Sequence, residues 1–281
     1  RDYVWQPRED ILHLEEIERL VDVFTCLGVD KVRLTGGEPL LRRDPEDLVP
    51  AVVRATRLKY VILLTHGGML SIERARSLWN AGVNQFNISL DYLDERHDRA
   101  RGIPGLGARI LASVQKMRAA GIDSIRFNTV MKRDNLDSIL PIVRAAMELD
   151  CGVNLSVYTD AKNGNREHLL ETGEHARVDA LIAELLAFKR ANRGVITNSD
   201  YYLEQVPRYL RGEITEPCRS GIRTIHLNPS GHVKRCPDFP TDFHWRDFRR
   251  YEPVSCNACY YACRGEAQAP LRLSRVADVF A

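Results

Sequence analysis

The sequence has no long apolar run. Nowhere in its 281 residues do hydrophobic side chains continue for the roughly 18 to 20 positions that a bilayer crossing needs. An excess of one charge is missing too: 40 Lys+Arg stand against 38 Asp+Glu, a net +2, so composition gives no argument for a nucleic-acid partner. There is no low-complexity tract, and no repeat beyond an alternation of strand and helix. An initiator Met is lacking, because the chain opens Arg1-Asp2-Tyr3-Val4-Trp5, and this predicts a start further upstream. No secretory signal is visible, which predicts a cytoplasmic setting and no membrane partner. What is present is ordinary for a folded protein: 44% hydrophobic and 28% charged residues, 18 Gly and 13 Pro. The length suits one large domain, or one with a small appendage.

Cysteine is unevenly spread. Of seven, Cys218, Cys236, Cys256, Cys259 and Cys263 lie in the last quarter of the chain. An odd, clustered set with no sign of export reads as metal ligation rather than a disulfide framework. Cys26 and Cys151 stand alone, and both are expected to be buried structural thiols.

From residue 12 to about 160 helical and strand patterns alternate. Leu14, Ile17, Leu20, Val21 and Phe24 recur at helical spacing before Gly28. Short β-forming runs follow at 31–35, 60–64, 85–90, 124–131 and 153–157. Between them helices are expected at 46–55, from an N-cap at Ser71 through Trp79, at 109–120 and at 136–149. Such alternation implies a parallel sheet covered by helices, with chemistry at the carboxyl ends of the strands. The Gly-rich and polar signals sit there: Gly36-Gly37-Glu38-Pro39, His66-Gly67-Gly68, Ser89 to Tyr92, and Tyr158-Thr159-Asp160. A long helix is expected from about His175 to Arg193, then a connector over 194–217 with a short helix near 201–210. Asn228-Pro229-Ser230-Gly231 turns 224–227 back into 232–234 as a hairpin. Asp91 to Asp98 is dense in polar groups and reads mostly as a solvated loop entering a helix, with only Asp91 and Tyr92 near a strand end.

The run from Arg33 through Thr35-Gly36-Gly37-Glu38-Pro39 to Asp44 carries the strongest local signal. Two glycines at a strand end let a ligand approach the main chain, Glu38 can hold an ammonium group, and Pro39 ends the paired ladder. This segment resembles the radical S-adenosylmethionine (SAM) enzymes, in the branch that includes the molybdenum-cofactor GTP cyclase, and the resemblance covers about residues 8–160. It implies that Gly36, Gly37, Glu38 and Pro39 bind the methionyl amino group of SAM. Asn87-Ile88-Ser89-Leu90-Asp91 is similar to the family's fourth strand, so Ser89 is implied as a SAM contact. Thr65-His66-Gly67-Gly68 stands where the family has Thr-Asn-Gly, and His66 departs from that pattern. His66 reads equally as a group that touches substrate or shuttles a proton and as a solvated loop histidine. Asn128 and Tyr158 (or Thr159) match positions that line the cofactor pocket in relatives. Arg33 and Arg126 match basic positions that bind the triphosphate in the GTP cyclase; pairing with strand-end carboxylates is the alternative.

The CxxxCxxC loop that holds the family's SAM-binding [4Fe–4S] cluster does not occur in these residues, and it is expected upstream of Arg1. The tail, Cys218-x12-Gly231-x4-Cys236 with Cys256-x2-Cys259-x3-Cys263, resembles the SPASM and twitch extensions. That implies one auxiliary [4Fe–4S] cluster, with Cys218, Cys236, Cys256 and Cys259 as preferred ligands and Cys263 as competitor. By spacing alone a four-cysteine zinc site fits as well.

The expectation is therefore an α/β partial (β/α)6 TIM-like barrel over 1–193 and a small Cys-rich domain over 218–281. Its activity would be reductive cleavage of SAM to a 5′-deoxyadenosyl radical that takes a hydrogen atom from a peptide, sugar or other small molecule. Arg33, His66, Asp91, Tyr92 and Arg126 are the candidate catalytic residues, and a flavodoxin- or ferredoxin-type protein is the implied electron donor. A GTP 3′,8-cyclase-like activity is the alternative. Against it stand the tail spacing and the end at Val279-Phe280-Ala281, which lacks that enzyme's glycine-rich terminus. A zinc- or iron–sulfur-binding protein without catalysis is the third reading.

Overall fold

A computed structural model of the chain describes residues 11–42, 44–55, 60–161, 164–218, 220–222, 224–238, 243–247 and 255–270. Five short strands, β1 (Val32–Leu34), β2 (Val61–Thr65), β3 (Gln85–Ser89), β4 (Ile125–Met131) and β5 (Gly152–Val157), pair in parallel in their sequence order. Helices cross between them: α2 (Pro45–Ala55), α3 (Ile72–Asn80), α4 (Glu95–Arg101), α5 (Leu106–Ala119) and α6 (Leu136–Glu148), with α1 (Leu14–Cys26) ahead of β1. Each parallel neighbour needs such a crossover, and unbroken strand order curls the sheet into a partial barrel rather than a doubly wound layer.

Register sorts the side chains onto two faces. Leu63, Phe86, Ile88, Ile125, Phe127, Val153 and Leu155 lie on the face that packs against the helices and form the main core. The opposite face carries Arg33, Gln85, Asn87, Ser89, Arg126, Asn128, Asn154 and Ser156. The barrel is apolar outside and polar within, the reverse of a filled barrel core.

The segment after the barrel is not a free linker. The amide of Val153 donates to Val195 O at 2.7 Å and that of Thr197 to Val153 O at 2.9 Å, which prolongs the sheet edge. Helix α7 (His175–Ala191) leads to α8 (Asp200–Leu210), and Tyr202, Leu203 and Val206 of α8 belong to the barrel's core. In the tail, β6 (His226–Leu227), β7 (His232–Lys234) and β8 (Phe243–His244) form an antiparallel sheet, followed by α9 (Ala262–Gln268). Val233 of this sheet and Trp245, which opens the 3-10 turn Trp245–Asp247 after it, share a second core with Leu20, Val21 and Phe24 of α1. Tyr260 stacks between Tyr202 and Tyr209, at 5.3 and 5.2 Å between ring centroids. A Cβ on Gly265 would stand 2.3 Å from the Tyr202 ring, so only glycine lets α9 approach α8 this closely. Among the described residues no helix is long and apolar enough to cross a membrane.

Three expectations change. Cys26 is exposed, because α1 turns Leu20, Val21, Phe24 and Thr25 inward and leaves Cys26 on the outer side. Helix α5 begins at Leu106 rather than 109: the Asp98 carboxylate accepts from the Gly105 and Gly107 amides and so satisfies its first turn. The Asp91–Asp98 stretch is a solvated loop entering a helix at Leu93, Asp94 and Glu95, as expected, but it also carries one inward residue that was not. Asp94 caps α4 by accepting from the Arg96 amide at 2.9 Å, and His97 is fully buried.

Candidate active site

The loops after β1 and β2 meet through one carboxylate. The Glu38 side chain is 3% exposed. Its Oε1 accepts from Thr65 Oγ1 at 2.8 Å and from the Leu40 amide at 3.1 Å. Its Oε2 accepts from the His66 amide at 2.7 Å and faces His66 Nε2 at 3.3 Å. The Gly68 amide donates to His66 Nδ1 at 2.9 Å. That bond puts the proton of the neutral imidazole on Nε2. Three hydrogen bonds thus hold the carboxylate, and one acceptor position on Oε2 is left beside the imidazole. An incoming ammonium group has that position on Oε2 to bind.

Beside this network the main chain is open. Gly36 sits at φ 139°, a backbone conformation that L residues rarely adopt, and a Cβ there would meet nothing within 4 Å. Gly36 and Gly37 are both exposed, and Pro39 starts the short 3-10 turn Pro39–Leu41 that Glu38 caps. An exposed glycyl main chain next to a buried carboxylate suits the amino-acid end of SAM. The residues present fit that ligand.

Ser89 ends β3 directly across from Asn128 on β4. Asn128 Oδ1 accepts from Asn154 Nδ2 at 2.8 Å, and Gln85 donates to Asn87. These amides line the polar face with Arg33 and Arg126. Burial holds the Arg126 guanidinium below its usual range, and repulsion from Arg33 adds to the effect while Tyr60 opposes it. Among the described residues neither arginine is ion-paired.

The remaining candidates lie elsewhere. Asp91 Oδ1 accepts from the Val130 amide at 2.9 Å, while Oδ2 pairs with Arg101 at 3.2 Å and Lys132 at 3.6 Å. The Tyr92 hydroxyl donates to Asp134 at 2.6 Å; burial is the main cause that pushes this phenol up, and the hydrogen bond to Asp134 adds to it. Lys132 and Arg96 stand over the Tyr92 ring at 4.6 and 4.8 Å. The Tyr158 hydroxyl is turned to Asn165 O at 3.0 Å, and its ring meets His168 edge-on. Thr159 Oγ1 donates to Ala258 O at 3.2 Å and ties the fifth strand's end to the tail.

His97 carried no sequence signal of its own. It is wholly buried, its Nδ1 accepts from the Asp91 amide at 3.3 Å, and its Nε2 has no hydrogen-bond partner among the described residues. Burial first, then the charge of Arg101, pushes its pKa down to about 4. The folded value lies below the unfolded value of about 6.5, so the unfolded chain takes the proton first. Stability is therefore full above about pH 6.5 and falls progressively toward pH 4, by roughly 3 kcal/mol in all. Urea midpoints measured from pH 7 to pH 4 should fall more steeply in the wild type than in His97→Asn; parallel curves would refute this.

The five tail cysteines converge. Cys218, Cys236 and Cys259 are buried, and Cys256 and Cys263 half-buried. The Cys218 amide donates to Cys256 O at 2.8 Å. Burial pushes the Cys259 thiol up to about 12, with Cys236, Cys263 and Cys218 adding to it. Cys263 is raised by burial and feels Arg33, Cys218 and Cys236. Among the described residues no group of three or more Cys, His, Asp or Glu is arranged about a single metal ion. Thiols supplied by separate turns are the donor chemistry of an iron–sulfur cluster, each sulfur binding a different iron, and they fit that group. For the SAM-binding cluster no ligand run is present in these residues.

Known proteins are similar to this chain. A GTP 3′,8-cyclase of Mycobacterium tuberculosis (strain CDC 1551 / Oshkosh) is 34% identical over 165 residues, 57% of this chain and 43% of that protein. A GTP 3′,8-cyclase of Marinobacter nauticus is 41% identical over 140 residues, 50% of this chain and 42% of its own length. The chain thus spans somewhat under half of these curated relatives. The fold is similar to that of SuiB from Streptococcus suis, with a TM-score of 0.67 at 14% identity over 84% of this chain and 58% of that one. A sequence model of the Radical SAM superfamily matches residues 2–146, just over half of the chain, and the chain belongs to that superfamily.

Proposed function

We propose that the chain forms the SAM- and substrate-binding core of a radical SAM enzyme whose substrate is a purine nucleoside triphosphate. GTP is the nucleotide named in the cyclases it resembles. The observation that supports this reading is the pair of exposed Arg33 and half-buried Arg126 on the polar face, without a carboxylate partner among the described residues. A guanidinium held out of water without a counter-ion is costly, and phosphate oxygens supply the bidentate partner it lacks. Gln85, Asn87, Asn128 and Asn154 offer amide donors and acceptors that suit a base edge and ribose hydroxyls.

Glu38 and the main chain at Gly36 and Gly37 hold the amino-acid end of SAM, with Thr65 fixing the carboxylate and Ser89 beside it. Bound SAM, given one electron through a [4Fe–4S] cluster by a flavodoxin- or ferredoxin-type donor, would break at its C5′–S bond into methionine and a 5′-deoxyadenosyl radical able to take a hydrogen atom from carbon. The chain's own part is to fix that carbon, exclude water and keep the charged end of the substrate away from the reacting atoms. Release of a cyclised product from GTP under anaerobic reducing conditions tests the reading. Full SAM cleavage with no GTP turnover removes it.

Arg126→Met separates binding from folding. GTP affinity should fall roughly 10-fold, since a charge-assisted hydrogen bond contributes about 1.5–3 kcal/mol. Stability should rise by about 1 kcal/mol or more, because a desolvated cation is replaced by an apolar chain of similar length. Calorimetry showing unchanged affinity would exclude Arg126 from the nucleotide site.

One observation favours a second reading. The five converging tail thiols suit an auxiliary [4Fe–4S] cluster able to take an electron from a substrate radical, which makes the net reaction an oxidation of a peptide, sugar or other small molecule. Metal analysis decides among the readings: iron with sulfide favours the cluster, and zinc alone favours a binding protein without catalysis.

A further inference from the structure

Arg264 lies on α9, next to Cys263, and is 3% exposed. Its Nη1 donates to Cys259 O at 2.6 Å. Its Nη2 donates to Glu216 O at 2.8 Å and to Asn257 Oδ1 at 2.6 Å, and its Nε to Gln268 Oε1 at 3.2 Å. The rings of Tyr260 and Tyr209 stand 5.6 and 6.0 Å from the guanidinium carbon. These contacts join the chain two residues before Cys218, the turn that carries Cys256 and Cys259, and the helix that carries Cys263. Every acceptor is neutral. Among the described residues no carboxylate is ion-paired with Arg264, so a buried cation has its hydrogen bonds but not its counter-charge.

Such a charge is retained where an anion completes the site. Four thiolates around an oxidised [4Fe–4S] core carry a net charge of −2, and one added electron makes it −3. We propose that Arg264 is the counter-charge of an iron–sulfur cluster held by Cys218, Cys236, Cys256 and Cys259. It fixes the cysteine turns in place, and it raises the cluster's reduction potential by stabilising the more negative reduced state. This rests on the reading that these cysteines hold an auxiliary cluster. Arg264 is a positioning residue; it touches no reacting atom.

The test uses the chain reconstituted anaerobically with iron and sulfide, and dithionite as reductant. Iron and sulfide counts come first: wild type taking up a cluster that Cys259→Ser loses sustains the cluster reading, and no iron in wild type overturns that reading and this proposal together. A redox titration followed by electron paramagnetic resonance then reads the potential. Arg264→Gln is expected to shift it to more negative values and to retain the cluster against a chelator roughly 10- to 100-fold less well. Arg264→Lys keeps the charge and is expected to hold the wild-type potential while retaining iron less well. Asn257→Asp places a carboxylate on the guanidinium without removing it, and the same negative shift is expected even if Arg264→Gln fails to fold. A potential unchanged in Asn257→Asp, or lowered as far in Arg264→Lys as in Arg264→Gln, overturns the electrostatic role.

Discussion

Glu38→Gln should weaken SAM binding by roughly two orders of magnitude, because the lost contact is a charge-assisted hydrogen bond in a site shielded from water. Geometry makes the amide a poor substitute. Both carboxylate oxygens act only as acceptors: Thr65 Oγ1 and the Leu40 amide bind one, and the His66 amide the other. An amide nitrogen at either place sets donor against donor, so the loop after β1 separates from the loop after β2. A stability loss of roughly 1–3 kcal/mol should accompany the binding defect. Equilibrium dialysis of SAM against the reconstituted protein measures the first effect, and urea denaturation the second. Binding within threefold of wild type would show that the amino group of SAM is held by the main chain at Gly36 and Gly37 alone.

Much of this arrangement is legible in the sequence, for identifiable reasons. Apolar strands separated by amphipathic helices leave few alternatives to a parallel sheet, and Gly36-Gly37-Glu38-Pro39 marks its functional end without help from tertiary contacts. The polar face is only half legible. Asn87 shares parity with Ser89, and Asn154 with Ser156, so alternation alone puts them on one side of their strands. Which side faces the interior depends on where the helices pack. Positions decided by long-range contact gave no signal. Arg264 follows Cys263 as one arginine among many basic residues, and its burial depends on Glu216, Asn257 and two tyrosines drawn from three segments. Cys26 failed for the opposite reason: a cysteine's usual preference for burial was overruled by the phase of α1, which local spacing already fixed.

Asp91 is where motif and geometry diverge most, and it supports the largest stability effect expected here. Asp91→Ala should destabilise the fold by roughly 3–5 kcal/mol, the cost of removing one partner from a buried ion network. Its carboxylate is 8% exposed and joins the Val130 amide on β4, Arg101 at the end of α4, and Lys132 just past β4. Without it Lys132, itself buried, faces Arg101 with no anion between them, and the Val130 amide loses its acceptor. The neighbouring contacts fail together: the Asp91 amide donates to His97 Nδ1, and Asn135 Nδ2 donates to the Asp91 carbonyl. Asp91→Asn keeps an oxygen for Val130 and should fall between wild type and alanine. The measurement is the urea midpoint at pH 7, combined with SAM cleavage per folded molecule. A variant as stable as wild type but inactive would move Asp91 out of the scaffold and into contact with the substrate. Loss of stability with cleavage retained in the folded fraction would assign it to the frame that aims β3 and β4 at the site.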